Sequence, residues 1–109
     1  MRQAMVYFKE EIVGNLIQHD EGSFTFRYND DWMMNNDKPG ISLTFPKNQQ
    51  VYNSNFLFPF FYNMLPEGTN KQVVCKYNKI DSDDYFGLLM ITAKNDSVGA
   101  VRLVKLEII

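Results

Sequence analysis

Few side chains in this sequence of 109 residues could carry out covalent or acid–base chemistry. Cys75 is the only cysteine and His19 the only histidine, and they stand far apart along the chain. A cysteine nucleophile needs a neighbouring base, and the usual zinc sites need several such ligands. Neither a glycine-rich phosphate-binding loop nor a protein-kinase motif occurs. We therefore expect no catalytic residue, no cofactor and no metal, and a protein that is not an enzyme.

The remaining polar clusters are explained by local backbone structure. The acidic pairs Asp30–Asp31 and Asp83–Asp84 stand where helices are expected to begin, and Asp is favoured at helix N-caps. Ser97 has no base placed to activate it. Asp96, Ser97 and Gly99 instead predict a tight structural turn, because Asp and Ser bond nearby backbone amides and Gly tolerates left-handed backbone.

Charge and the length of apolar runs argue against two classes of partner, nucleic acids and membranes. The net charge is −2, from 11 basic and 13 acidic residues, and no block of Lys or Arg stands out. Direct nucleic-acid binding needs a concentrated basic face. Residues 1–8 lack the apolar run of a signal peptide, and no window approaches the roughly 18 apolar residues of a membrane span. We expect a cytoplasmic protein that contacts neither nucleic acid nor membrane.

Composition and periodicity predict one α+β domain over residues 1–109. The chain is 45% hydrophobic and 15% aromatic, which is too apolar for disorder. Alternating residues predict an antiparallel meander and a last strand, and one apolar segment, one more polar segment with an apolar face and one capped segment predict about three helices. Strands are expected over 4–9, 12–18 with a bulge at Gly14, 24–28, 41–45 ending at Pro46, and 99–107; helices are expected over 56–65, 69–78 and from Tyr85 onward; 47–53 is expected to be a loop. Because strands precede helices, the order indicates α+β rather than a wound parallel sheet.

Two apolar segments stand out as candidate binding surfaces. Residues 56–65 are apolar nearly all round, which is more apolar surface than one face of a small sheet can cover. Most of these side chains belong in a core, but some are expected to face a partner. Trp32, followed by two methionines, is favoured at interfaces and equally suited to plug a core. Both alternatives stay open for each segment.

The order of several short motifs resembles one family, the HipA N-terminal domain (subdomain 1). The sequence F-F-Y-N-M-L-P-E-G at residues 60–68 resembles the F-F-x-N-L-L-P-E-G signature of that domain. D-Y-F-G-L-L at 84–89 and D-S-V-G-A-V at 96–101 are similar to its D-x-F-x-L-L and D-S-x-G-A-V segments, and L-T-F-P at 43–46 to its S-L-x-L-P. Tyr62, Met64 and Lys94 depart from the family pattern at positions where an acidic or polar residue, Leu and Gly are common.

The resemblance implies a partner and a mode of action. HipA proteins are serine/threonine kinase toxins that pair with HipB, a helix-turn-helix DNA-binding protein, and their N-terminal domain carries no catalytic group. The sequence stops where the kinase would begin, so it resembles the stand-alone form, as in HipBST systems, where HipS binds and neutralises the truncated kinase HipT. A HipB-like protein would join a larger complex. The alternative is a structural piece of a split HipA that completes the kinase without inhibiting it.

The same resemblance singles out the surface that would meet the kinase. The aromatic segment and the turn after it are expected to form part of the kinase-facing surface, with aromatic side chains as anchors. The candidate partner-binding residues are Phe61, Tyr62, Leu65, Pro66, Glu67 and Trp32.

Overall fold

Within residues 1–93 and 101–106, which the computed structural model describes, five strands form one antiparallel sheet. The strands are β1 (Arg2–Phe8), β2 (Glu11–Gln18), β3 (Phe24–Tyr28), β4 (Val51–Ser54) and β5 (Val101–Leu106), in the spatial order β4-β3-β2-β1-β5. The first three strands are consecutive neighbours, and β5 returns to pair with β1. The predicted α+β class, with a meander and a last strand, is confirmed.

The first hairpin has a tight turn and a bulge. Lys9 and Glu10 both have positive φ (49° and 70°), as a two-residue turn of matching twist requires. Val6 pairs with Gly14 but Tyr7 pairs with Ile12, so one extra residue lies between them on β2. A side chain at Gly14 would lie 2.1 Å from a backbone oxygen of β3. The bulge predicted at Gly14 is therefore found at the residue just before it on β2. Gly14 itself permits the close approach of β2 and β3.

One face of the sheet carries the core, because its side chains alternate. Ala4, Val6, Leu16, Phe26, Tyr28 and Leu103 on that face are each fully buried. An aromatic cluster lies over β3, where the ring centroid of Phe26 is 4.7 Å from that of Phe45 and 5.8 Å from that of Phe61. Aromatic pairs at these separations stabilise beyond their buried area. This cluster fixes the segment that follows β4 against the sheet.

Four helices are described: α1 (Asp30–Met34), α2 (Pro59–Tyr62), α3 (Gly68–Asn78) and α4 (Tyr85–Thr92). Helix α4 lies on the core, and its Phe86, Leu88 and Leu89 are fully buried. The predicted helices at 69–78 and after the acidic run are confirmed. No helix among the described residues is long and apolar enough to cross a membrane.

The prediction of a strand at residues 41–45 was wrong, and the fourth strand is Val51–Ser54, where a polar loop was expected. The hydroxyl of Tyr28 accepts a hydrogen bond from the backbone N–H of Ile41 (3.0 Å) and donates to the carbonyl of Phe45. Ile41 and Phe45 are buried while Leu43 is fully exposed. The alternation therefore reflects a loop folded around one hydroxyl rather than a strand.

The predicted helix at 56–65 is shortened to the single turn of α2. Pro59 stands at its first position, where proline is well tolerated. At its end the N–H groups of Met64 and Leu65 bond three residues back, to Phe61 and Tyr62 (3.0 Å each). Such bonds tighten the last turn, and the proline at 66 cannot continue a helix. The predicted turn of Asp96, Ser97 and Gly99 lies outside the described residues.

Candidate partner-binding surface

Three of the six candidate residues lie in the core. Phe61 is 0% exposed and Leu65 is buried beside it. Trp32 is 5% exposed, its indole N–H donates to the carbonyl of Pro39 (2.8 Å), and its ring meets Phe8 edge to face. Phe61 and Trp32 therefore offer almost no surface to a partner, whereas Leu65 still lines a cavity together with Tyr62. Tyr62, Pro66 and Glu67 are the candidate residues with substantial exposure.

Tyr62 shares one cavity wall with two other aromatic residues, Phe56 and the half-buried Tyr85, and the three are here called the aromatic patch (Phe56, Tyr62 and Tyr85). Phe56 is 79% exposed and Tyr62 is 48% exposed. The rings of Tyr62 and Tyr85 meet edge to face, with centroids 5.6 Å apart and planes at 88°. A large, rigid and exposed aromatic surface of this kind is typical of protein–protein contacts. Sequence reasoning found Tyr62 and missed the other two.

Three separate elements position the aromatic patch. Phe56 follows β4, and its N–H donates to the side chain of Ser54 (3.1 Å). Tyr62 ends α2, directly after the buried Phe61 that fixes this turn. Tyr85 begins α4. The patch therefore exists only when the sheet and both helices are assembled, which explains why spacing along the chain does not reveal it.

Asp84 holds the start of α4, and so the backbone of Tyr85, in place. Its carboxylate accepts from the N–H of Gly87 (3.1 Å) and from Arg2 of β1 (2.6 Å). A side chain at Gly87 would lie 2.4 Å from that carboxylate. Hydrogen bonds from Arg2, and more weakly from the Gly87 amide, hold the pKa of Asp84 below its usual range despite partial burial. The predicted N-cap is thus confirmed and is anchored to the sheet.

Two open cavities flank Tyr62. The Asp83 cavity, of about 380 Å³, is lined by Phe24, Phe56, Tyr62, Asp83 and Tyr85 among others. The Glu67 cavity, of about 220 Å³, is lined by Tyr62, Leu65, Pro66, Glu67, Gly68 and Lys71. The second cavity brings together four of the six residues that the sequence singled out. Both cavities combine an aromatic or apolar wall with one carboxylate.

Two of the residues considered for chemistry, His19 and Cys75, lie within the described part of the chain. His19 Nε2 lies 2.8 Å from the hydroxyl of Thr25, which in turn donates to the side chain of Asn53 (2.6 Å). Cys75 is half-buried in α3. Among residues 1–93 and 101–106 no group of His, Cys, Asp or Glu is arranged to hold a metal ion.

Comparison with known proteins gives one consistent family. A family model described as the HipA N-terminal domain matches residues 4–104. A solved structure of the N-terminal domain of HipA toxin superposes with a TM-score of 0.73 at 29% identity, covering 98% of this chain and 94% of that chain.

Two curated proteins are related in sequence and differ in length. A protein of Haemophilus influenzae, described as uncharacterized, is 34% identical over 105 residues, which are 94% of this chain and 92% of that protein. A putative kinase of Sinorhizobium fredii, Y4mE, is 26% identical over 103 residues. The matched region covers 94% of this chain but 24% of the kinase. The fold therefore occurs both within a long kinase chain and in a chain of about this size.

Proposed function

This chain belongs to the HipA N-terminal domain family, and on that premise we propose that it is a non-catalytic subunit that binds a separately encoded HipA-like (HipT-like) serine/threonine kinase and neutralises it. The family assignment indicates a role related to toxin–antitoxin systems. The N-terminal domain is a non-catalytic part of HipA, and the kinase groups lie elsewhere. The proposed site of action is the cytoplasm, where the kinase would act.

The observation that carries the proposal is the aromatic patch, because its Tyr62 belongs to the family's signature segment. Within F-F-Y-N-M-L-P-E-G, the chain buries Phe61 and Leu65 and leaves Tyr62 and Glu67 at the surface. Aromatic anchors in desolvated pockets can each contribute about 2 kcal/mol or more to binding. A kinase surface with a recess for Tyr62 would fit this arrangement.

The Haemophilus relative supports a separate subunit. Its match to this chain extends over 92% of its own length, so a domain of this family also occurs in a chain of similar size. The Sinorhizobium protein, in which the matched region is 24% of a putative kinase, favours the alternative function. In that alternative the domain completes the kinase fold and does not inhibit it.

Co-expression distinguishes the two functions. The HipA-like kinase body from the same genome would be expressed in cells alone and together with this chain, with a catalytically inactive kinase as the control. Toxicity of the kinase alone, relieved by this chain, is the expected result. A kinase that is inactive alone and toxic with this chain would support the structural alternative. Absence of association between the purified proteins at micromolar concentration would exclude both.

We extend the proposal to a third member, a HipB-like DNA-binding protein. This chain has a net charge of −2, so its own contribution to DNA binding would be small. DNA contacts in a ternary complex would therefore come from the HipB-like protein. Addition of this chain and the kinase should lower the mobility of a HipB–operator complex, while this chain alone should leave free operator DNA unshifted.

A further inference from the structure

The Asp83 cavity has the composition of a site for a cationic side chain. Four aromatic residues, Phe24, Phe56, Tyr62 and Tyr85, and one acidic residue, Asp83, are among those that line it, and Phe56 and Asp83 are exposed. A cation over an aromatic face is attracted by the ring quadrupole, and the attraction grows as water is excluded. A carboxylate beside the rings adds charge-assisted hydrogen bonding. An uncharged ligand would use the rings alone.

The charges around this cavity are mostly acidic. Asp83 is exposed and forms no ion pair with any described residue. Gly22 also lines the cavity and directly follows Asp20, which is ion-paired with the N-terminal ammonium, and Glu21, an exposed acid. Asp83 therefore places an acidic residue, unpaired within the described part of the chain, among the aromatic lining residues, and this arrangement favours a positively charged occupant.

A similar pair of a carboxylate and an aromatic ring, shifted by one residue in sequence, already binds an arginine within this chain. Arg2 stands over the ring of Phe86, with Cζ 4.9 Å from the centroid, while its two terminal nitrogens bond the carboxylate of Asp84 (2.6 and 3.2 Å). Asp84 and Phe86 thus hold an internal arginine. Asp83 and Tyr85 repeat the carboxylate–aromatic spacing, and both line the open cavity.

We propose that the Asp83 cavity binds an arginine side chain of the partner protein. Arginine is favoured over lysine because its planar guanidinium stacks on aromatic rings and bonds a carboxylate in bidentate fashion. Tyr85 also attracts an internal cation, since Lys71 Nζ lies 5.3 Å from its ring centroid. Because Lys71 lines the Glu67 cavity, the arginine of the partner is expected to approach Tyr85 from the Asp83 cavity. The identity of the partner as a kinase rests on the proposed function, whereas the arginine site does not.

The test uses the full chain and needs no kinase. ¹⁵N-labelled protein would be titrated with N-acetyl-arginine amide, N-acetyl-lysine amide and N-acetyl-citrulline amide, the last being a neutral isostere of arginine. The expected result is saturable shifts of the Gly22, Leu57 and Tyr85 amide signals with arginine, weaker binding of lysine and none of citrulline. Equal shifts with citrulline, or lysine binding as tightly as arginine, would overturn the proposal.

Two variants with the same change in net charge locate the site. Asp83→Asn should weaken binding of the arginine amide about fivefold, the upper range for an exposed ion pair. Asp81→Asn is the matched control, because Asp81 does not line the cavity and its bond to the Asp83 N–H (3.2 Å) can be kept by Asn. Binding that is equally weakened in both variants would mean a general charge effect and would also overturn the proposal. Failure here leaves the co-expression result untouched, so the two proposals fail separately.

Discussion

Arg2 and Asp84, which are 82 residues apart in sequence, form a two-pronged contact between the first strand and the last described helix, with Nη2–Oδ1 and Nη1–Oδ2 distances of 2.6 and 3.2 Å. The same carboxylate caps α4 at Gly87. One side chain thus fixes both the start of a helix and its position on the sheet. The aromatic patch depends on this contact, because Tyr85 follows Asp84 directly.

The Asp84 contact should make stability depend on pH. A carboxyl whose pKa is lowered in the folded state contributes stability above its unfolded pKa and loses that contribution as pH falls through the folded pKa. Asp84→Asn keeps a capping group and removes the charge. We expect it to lower the free energy of unfolding by about 0.5–1 kcal/mol at neutral pH, allowing for partial exposure, with the difference shrinking as pH falls through the lowered pKa of Asp84 in the folded state.

Urea unfolding of both proteins between neutral and acid pH measures this difference. Asp37→Asn, in an exposed loop, is the control and should change the unfolding free energy little at any pH. A deficit of Asp84→Asn that stays constant as pH falls would contradict the assignment.

Phe61 should behave as a core residue and Phe56 as a surface residue. Phe61 is fully buried and contacts the rings of Phe26 and Phe45, whereas Phe56 is 79% exposed. Phe61→Ala should lower the free energy of unfolding by about 3–5 kcal/mol, since it leaves a cavity among those rings. Phe56→Ala should stay within about 0.5 kcal/mol of the parent. Similar urea midpoints for the two variants would refute this division.

The hydroxyl of Tyr28 should be essential to the loop over residues 41–45. Tyr28→Phe removes the partner of the Ile41 N–H and of the Phe45 carbonyl, and an unpaired buried polar group costs about 1–3 kcal/mol. Tyr52→Phe is the matched control, because the Tyr52 hydroxyl donates to the carbonyl of Pro46 in an exposed setting. It should cost less than about 0.5 kcal/mol. Equal losses in thermal or urea unfolding would contradict the role assigned to Tyr28.

Glu67 should contribute to partner binding through its charge. It is exposed and lines the Glu67 cavity together with Tyr62. Glu67→Gln keeps the shape and removes the charge, so binding of the kinase should weaken about threefold at low salt and little at high salt. Isothermal titration at two salt concentrations checks this, with Asp37→Asn as the charge-matched control. A deficit that does not depend on salt would point to shape rather than charge.

The parts of the fold that alternation specifies could be predicted from the sequence. Phe24, Phe26 and Tyr28 alternate with polar residues and do form a buried strand face. The acidic residues before Tyr85 correctly predicted the start of a helix, because capping is a local interaction. The fourth strand could not be predicted, because its sequence V-Y-N-S is short and alternates weakly. It lies at the edge of the sheet.

The candidate site was predictable in position but not in detail. Residues 60–65 are apolar except for Asn63, so periodicity cannot tell that Phe61 faces the core while Tyr62 faces outward. That distinction depends on where the one-turn helix α2 meets the sheet. Phe56 and Tyr85 are 29 residues apart in sequence and meet Tyr62 only at one cavity of the folded domain, and local patterns carry no such information.

The central claim is that the surface around Tyr62 binds a HipA-like kinase. Tyr62→Ala and Tyr77→Ala make the same chemical change at two exposed tyrosines, and Tyr77, on α3, is 85% exposed and lies outside both cavities. The dissociation constant of each purified variant for the kinase body should be measured after thermal unfolding has verified that both are folded. We predict binding about 30-fold weaker for Tyr62→Ala, as for a hot-spot residue of about 2 kcal/mol, and unchanged for Tyr77→Ala. Parental affinity of the folded Tyr62→Ala variant would contradict the claim.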